Sequence, residues 1–112
     1  MHYIPLIARV LLTAAFVMAG GAKLAGAEMM VGTFEAIGWG QWFRYVTGII
    51  EVGAAAMLWV KSTRLLGALL LGATMVGAII AHLLVLGPSA VPAAVLGLLT
   101  LVVIYFERRP AA

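Results

Sequence analysis

Long apolar runs separated by short polar breaks account for nearly the whole chain. They extend from about Ile4 to Ala22, Phe43 to Val60, Arg64 to Leu86 and Val91 to Phe106. None alternates with period two. Each comes close to the roughly 20 residues that a helix needs to cross a hydrocarbon layer, so the pattern predicts four membrane-spanning helices. Lys61-Ser62-Thr63-Arg64 predicts a tight polar turn in which Ser62 or Thr63 caps the third stretch. Gly87-Pro88-Ser89 should end that stretch, because proline disfavours helical geometry in the residue before it. Pro92 falls where a first-turn proline is tolerated. These short connections make the last three stretches antiparallel neighbours.

The link between the first two stretches is too polar to span. Met30, Phe34 and Ile37 recur at helical spacing, while Glu28 and Glu35 fall on another face. This predicts a short amphipathic helix over about 27–38, lying at the membrane interface or capping the end of the bundle. Gly38-Trp39-Gly40 then turns the chain into the second stretch. The expected architecture is all-α: one domain over residues 1–112, a four-helix transmembrane bundle with an amphipathic segment between its first two helices.

Composition sharpens this picture. Hydrophobic residues make up 65% and charged residues 10%, with mean hydropathy +1.17; soluble domains are about half apolar and a quarter charged. The absence of cysteine excludes disulfides, thiol nucleophiles and thiolate metal sites on this chain. The net charge of +3 resides at the ends of the apolar runs, which reads as a topology signal and not as a nucleic-acid surface. No basic region precedes the first run, so a cleaved signal peptide is disfavoured against a retained helix. Four crossings put the termini and the Lys61–Arg64 turn on one side. That side carries Lys61, Arg64, Arg108 and Arg109, with Arg9 nearest to it. The opposite side holds Lys23 and Arg44, offset by Glu28 and Glu35, so both termini are expected in the cytoplasm. Trp39, Trp42 and Tyr45 mark the outer interface; Tyr3, Trp59, Tyr105 and Phe106 mark the inner one.

Candidate chemistry rests on the few ionisable groups inside the apolar runs, since a charge there demands a partner or a purpose. Thr47, Gly48, Glu51, Ala54, Ala55 and Leu58 share one helical face, mostly of small residues that let helices approach closely. Glu51 should therefore point into the bundle, with Thr47 one turn before it and placed to hydrogen-bond its carboxyl. Arg9 and Lys23 fall on nearly one face of the first helix, roughly 21 Å apart along the axis. Either stem is long enough to reach Glu51. His82, about a turn from the outer end of the third helix, shares a face with Met75, Ala78 and Ile79. The expected arrangement is a Lys23–Glu51–His82 cluster opening outward, with Arg9 as an inner counter-charge. Plainer readings stand beside each residue. Arg9 snorkels to the interface, Lys23 ends its helix at the headgroups, His82 packs against a backbone carbonyl, and Glu51 fixes helix register through a structural ion pair. Gly67, Gly72 and Gly77 read as packing features.

The order of these features resembles the DoxX-like family of small bacterial integral membrane proteins. The carrying residues are Arg9-Val10-Leu11-Leu12, Phe16, Ala19-Gly20-Gly21-Ala22-Lys23-Leu24, Phe34, Gly38, Gly48-Ile49-Ile50-Glu51, Arg64, Ala78 and His82. The resemblance implies a four-helix bundle in the bacterial inner membrane. The wider family includes the DoxD subunit of a thiosulfate:quinone oxidoreductase and members linked to oxidative-stress defence complexes. It leads to the expectation of an accessory or quinone-linked subunit of a membrane redox assembly, with other membrane subunits or further copies of itself as partners. A bound quinone would meet Glu51 and His82 as carbonyl partners or proton donors, with Phe16 and Met75 on the apolar wall. The chain departs from a self-sufficient redox protein: it has no cysteine, and His2 and His82 form no haem-binding pair. No self-contained catalytic constellation and no metal site is evident. Two other classes stay open, a small proton-coupled transporter and a purely structural helper of a larger membrane enzyme.

Overall fold

The computed structural model describes residues 3–86 and 90–108. It is helical throughout, with α1 (Tyr3–Ala25), α2 (Glu28–Ile37), α3 (Trp42–Met57), α4 (Arg64–Ala81) and α5 (Val91–Arg108). The Gly87-Pro88-Ser89 break lies outside the described residues. Among the described residues there is no strand.

The helices form where the apolar periodicity places them, and their ends differ from the sequence expectation for local reasons. α1 continues past Ala22 to Ala25, where Arg44 reaches across to the carbonyl of Lys23 (below). α3 stops at Met57 and tightens into bonds spaced three residues apart, Leu58 N–H to Ala55 O at 3.2 Å and Trp59 N–H to Ala56 O at 3.1 Å. Thr63 does not cap α4 with its side chain; its hydroxyl turns back and donates to Met57 O at 3.0 Å. α4 gives way at His82–Leu86 to a π-helical turn, a wider winding that recurs at functional sites.

Four helices close a ring: α1 packs on α3, α3 on α4, α4 on α5, and α5 back on α1. Neighbours in chain order run antiparallel. Gly20 of α1 faces Gly48 of α3, whereas Arg9 and Thr13 reach Leu58 and Trp59. Gly67 of α4 lies against Ala54, and Gly72 against Thr100 of α5. The core between them is built from Leu12, Phe16, Ala54, Ala55, Leu58, Ala68, Leu71 and Val103, with Thr100 buried and donating to Gly97 O at 2.6 Å. The small side chains of α3 are what permit this closeness. A Cβ on Gly67 would stand 2.7 Å from Ala54 O, and one on Gly20 would stand 2.9 Å from Gly48 O.

The outward faces are apolar. Val10, Leu11, Ile49, Leu66, Val76, Leu98 and Leu101 are all exposed, a distribution opposite to that of a water-facing helix surface. Tyr3–Ala25 and Arg64–Val85 are long and apolar enough to cross a membrane, and Val91–Glu107 forms a shorter apolar helix. α2 is amphipathic: Phe34 is buried, Met30 and Ile37 are half-buried, and Glu28 and Glu35 are exposed. Its C-terminus is closed by Gly38 at φ 84°, a left-handed position that favours glycine, whose N–H bonds Phe34 O at 3.2 Å. α2 packs against the π-helical turn, α3 and α1 at one end of the ring. The opposite end holds the turn around Lys61.

Candidate functional site

Two glycines bring α1 and α3 together at the α2 end. Gly20 and Gly48 lie face to face, each with the other's carbonyl where its own Cβ would be, at 2.9 and 3.0 Å. The next functional group outward on α1 is Lys23, and the next inward on α3 is Glu51. Side chains tilt toward their own helix N-terminus. In an antiparallel pair, Lys23 therefore leans inward and Glu51 leans outward, and they meet. Lys23 Nζ stands 2.8 Å from Glu51 Oε1, with the two side chains only 11% and 3% exposed. The contact is an ion pair at hydrogen-bond distance, and no other donor among the described residues reaches the buried Oε1. The pair is held by charge and leaves acceptor capacity on the carboxylate and donor capacity on the ammonium.

Beside this pair is a cleft of about 970 Å³. Phe16, Phe34, Phe43, Met75 and Ala78 form apolar wall, and Lys23, Thr33, Thr47, Glu51 and His82 supply its polar groups. Exposed Met29, Trp39 and Leu84 form part of its rim. Its size is at the upper end of the range for small-molecule sites, and its composition, apolar with a few convergent polar groups, is the usual one. A smaller groove of about 470 Å³ lies between α4 and α5 around Gly72, Gly97 and Thr100 and has almost no polar lining.

The residues singled out from sequence are distributed as follows. Lys23 and Glu51 are in contact, and Thr47, His82, Phe16 and Met75 line the same cleft. Thr47 does not serve the carboxylate: its hydroxyl donates to Phe43 O at 2.8 Å, one turn back in its own helix. Its oxygen remains open as an acceptor. His82 is half-buried and begins the π-helical turn. Arg9 belongs elsewhere. Its Nη1 donates to Leu58 O at 3.4 Å and its guanidinium lies 4.8 Å from the centre of the Trp59 ring, at the Lys61 end.

Arg44 is the residue that sequence reasoning missed. It reads as an outer-surface cation, yet it is only 5% exposed. Its Nη1 donates to the carbonyl of Lys23, its Nε donates to Gln41 Oε1 at 2.8 Å, and its guanidinium lies 4.3 Å from the centre of the Tyr45 ring. Helices leave their last four carbonyls without internal partners, and a cation there also suits the macrodipole. Arg44 thus fixes the last turn of α1, the turn that carries Lys23. Gln41 extends the frame by donating from Nε2 to Val31 O of α2 at 3.1 Å. Phe43 sits among Phe34, Trp39 and Trp42, with ring centres 5.1 to 5.7 Å apart. The available signal was position: Arg44 falls in the first turn of α3, opposite the end of the antiparallel α1.

No curated protein and no solved structure matches the chain. The family model described as the DoxX-like family matches residues 7–104, a span that holds both members of the ion pair, the cleft wall and most of every helix of the ring. The family points to a small membrane protein, in agreement with the exposed apolar faces. The chain therefore belongs to the DoxX-like family.

Proposed function

We propose that the chain is a four-helix inner-membrane protein whose cleft at the α2 end binds a quinone-class ligand, and that it acts as an accessory subunit of a membrane redox assembly. The observation carrying this reading is the juxtaposition of the buried Lys23–Glu51 pair with an apolar cleft of about 970 Å³. The ring supports a reading of four crossings, since α3 and α5 pack alongside α1 and α4. The surplus of Lys61 and Arg64 at one end supports a cytoplasmic location for it, and for both termini.

The groups present fit such a ligand. Its flat ring needs apolar walls, which Phe16, Phe34, Phe43 and Met75 supply. A carbonyl oxygen needs a donor, which the Lys23 ammonium retains. A hydroxyl needs an acceptor, which Glu51 Oε1 and the Thr47 oxygen retain. A quinone, when bound, would accept electrons and protons. The contribution of the chain is to orient the ring, exclude water, and hold a proton-exchanging carboxylate and imidazole, Glu51 and His82, at the cleft. The chain has no cysteine to carry electrons through thiols, so electron delivery falls to a partner subunit or a further bound cofactor.

The test is equilibrium binding of short-chain ubiquinone and menaquinone analogues to the full-length protein in detergent. Trp39 in the cleft wall provides a fluorescence quenching signal. Lys23→Met should weaken binding about tenfold or more, the usual effect of losing a charged hydrogen-bond donor. Gly77→Leu should also weaken it while leaving the fold intact, because Gly77 lines the cleft and its added Cβ would meet nothing within 4 Å. Saturable binding that neither substitution changes would refute the reading. Proton-coupled uptake into proteoliposomes that Glu51→Gln abolishes would favour a transporter instead.

A further inference from the structure

The Lys61 end of the ring carries charge that the cleft does not use. There Arg9 lies next to Arg64 on the shared carbonyl of Leu58, and Lys61 and Arg64 converge on one carboxylate, Glu107. Arg64 Nη1 stands 3.3 Å and Lys61 Nζ 3.9 Å from it, and among the described residues Arg9 has no carboxylate within ion-pair distance. Arg9 and Arg64 instead direct donors at the same atom, Leu58 O, at 3.4 and 2.8 Å. That carbonyl terminates α3, where the helix dipole is negative, but a partial charge does not neutralise two guanidiniums. Arg9 Nε is buried without a hydrogen-bond partner. Lys61 extends outward with its side chain 82% exposed. Trp59 closes the flank: its ring lies under Arg9, and its Nε1 donates to Thr13 Oγ1 at 2.7 Å.

We propose that this cluster is a binding site for a phosphate group, supplied by the headgroup of an anionic lipid such as phosphatidylglycerol or by soluble phosphate. Among the described residues, three cations stand there against one acid, which leaves an uncompensated positive field at the end of an apolar bundle. The Arg9 guanidinium, which has no carboxylate partner among the described residues, and the exposed Lys61 ammonium present the donors that phosphate oxygens take. The position favours the lipid source. Basic pockets between helices at the cytoplasmic surface bind anionic headgroups, and the exposed apolar residues Ile7 and Leu66 near Arg9 and Arg64 in sequence provide flanks for acyl chains. Glu107 acts as a competitor for Arg64 and Lys61. This site is independent of the cleft.

The test uses the full-length protein in equimolar phosphatidylglycerol and phosphatidylcholine micelles, with retained lipids counted by native mass spectrometry. Phosphatidylglycerol should be retained preferentially. Lys61→Gln, at an exposed position that leaves folding untouched, and Arg9→Gln should each lower the preference about fivefold, the ratio expected for one cation near a charged surface. Glu107→Gln should raise it, an effect opposite in sign to mere loss of an ion pair. In a second arm, inorganic phosphate is titrated in phosphatidylcholine alone. Thermal stabilisation of the wild type, absent in Lys61→Gln, would assign the site to soluble phosphate. Equal retention of both lipids together with no response to phosphate, or a preference unchanged in Lys61→Gln and Arg9→Gln, would overturn the proposal.

Discussion

Separating Lys23 from Glu51 should expose a marked asymmetry between single and double substitutions. At 2.8 Å and an effective dielectric of about 20, the attraction is about 6 kcal/mol. Both ions are nearly buried, and each loses several kcal/mol of hydration on burial, so the intact pair is close to neutral in net stability. Removing one partner leaves the hydration loss without the attraction. Lys23→Met strands a carboxylate that is 3% exposed and should cost about 3–5 kcal/mol, the range for a broken buried pair. Glu51→Gln should cost less, about 1–3 kcal/mol, because it leaves a polar amide in place and a lysine whose stem can swing outward. That lysine lies in the last turn of α1, where a cation is favoured. Lys23→Met combined with Glu51→Gln removes both charges and should fall within about 1 kcal/mol of the wild type. Unfolding of the four proteins in mixed micelles by sodium dodecyl sulfate titration gives the cycle. A double variant destabilised by the sum of the singles would refute the reasoning, since the two side chains would then be stabilised independently.

Further predictions follow from the same geometry. Gly20→Ala should destabilise the fold by about 1–3 kcal/mol, because its Cβ would stand 2.9 Å from the backbone oxygen of Gly48 and only separation of α1 from α3 relieves that. Gly53→Ala, where an added Cβ meets nothing within 4 Å, should leave stability unchanged or raise it by up to about 1 kcal/mol; thermal melts of the two variants provide the comparison. Arg44→Gln should cost about 1.5–3 kcal/mol by removing the charged donor to the Lys23 carbonyl, and Arg44→Lys should not rescue it, because one ammonium does not reproduce the fork that serves Lys23 O and Gln41 Oε1; the same detergent titration measures both. Trp59→Phe should lose about 1 kcal/mol with the hydrogen bond to Thr13, read as a lower melting temperature.

The helices and the main acid were legible from pattern because both depend on local spacing. Apolar runs of spanning length dictate helix, and the small-residue face of α3 dictates that Glu51 turns inward; Gly48, Glu51, Ala54, Ala55 and Leu58 are all buried. Pairing was less legible, because it depends on how far antiparallel helices slide. Arg9 and Lys23 share a face of α1 and both have the reach, yet the contact of Gly20 with Gly48 sets the register so that only Lys23 arrives. Thr47 and Thr63 both depart from the sequence expectation for one reason: a hydroxyl near helical backbone finds a preceding carbonyl, three to six residues back, more readily than a charged group or a cap. Arg44 was hidden because its partners are backbone and amide oxygens brought in by folding, which leave no mark in composition. The π-helical turn at His82 likewise has no signature in the apolar run that contains it.

The return of α5 onto α1 has a consequence for how the chain is made. A ring in which α5 touches α1 cannot close until α5 itself has been translated. The contact between Lys23 and Glu51, by contrast, joins α1 to α3 and is within reach before α4 leaves the ribosome. The nascent protein would thus neutralise its most costly charges early and receive α5 later as a keystone.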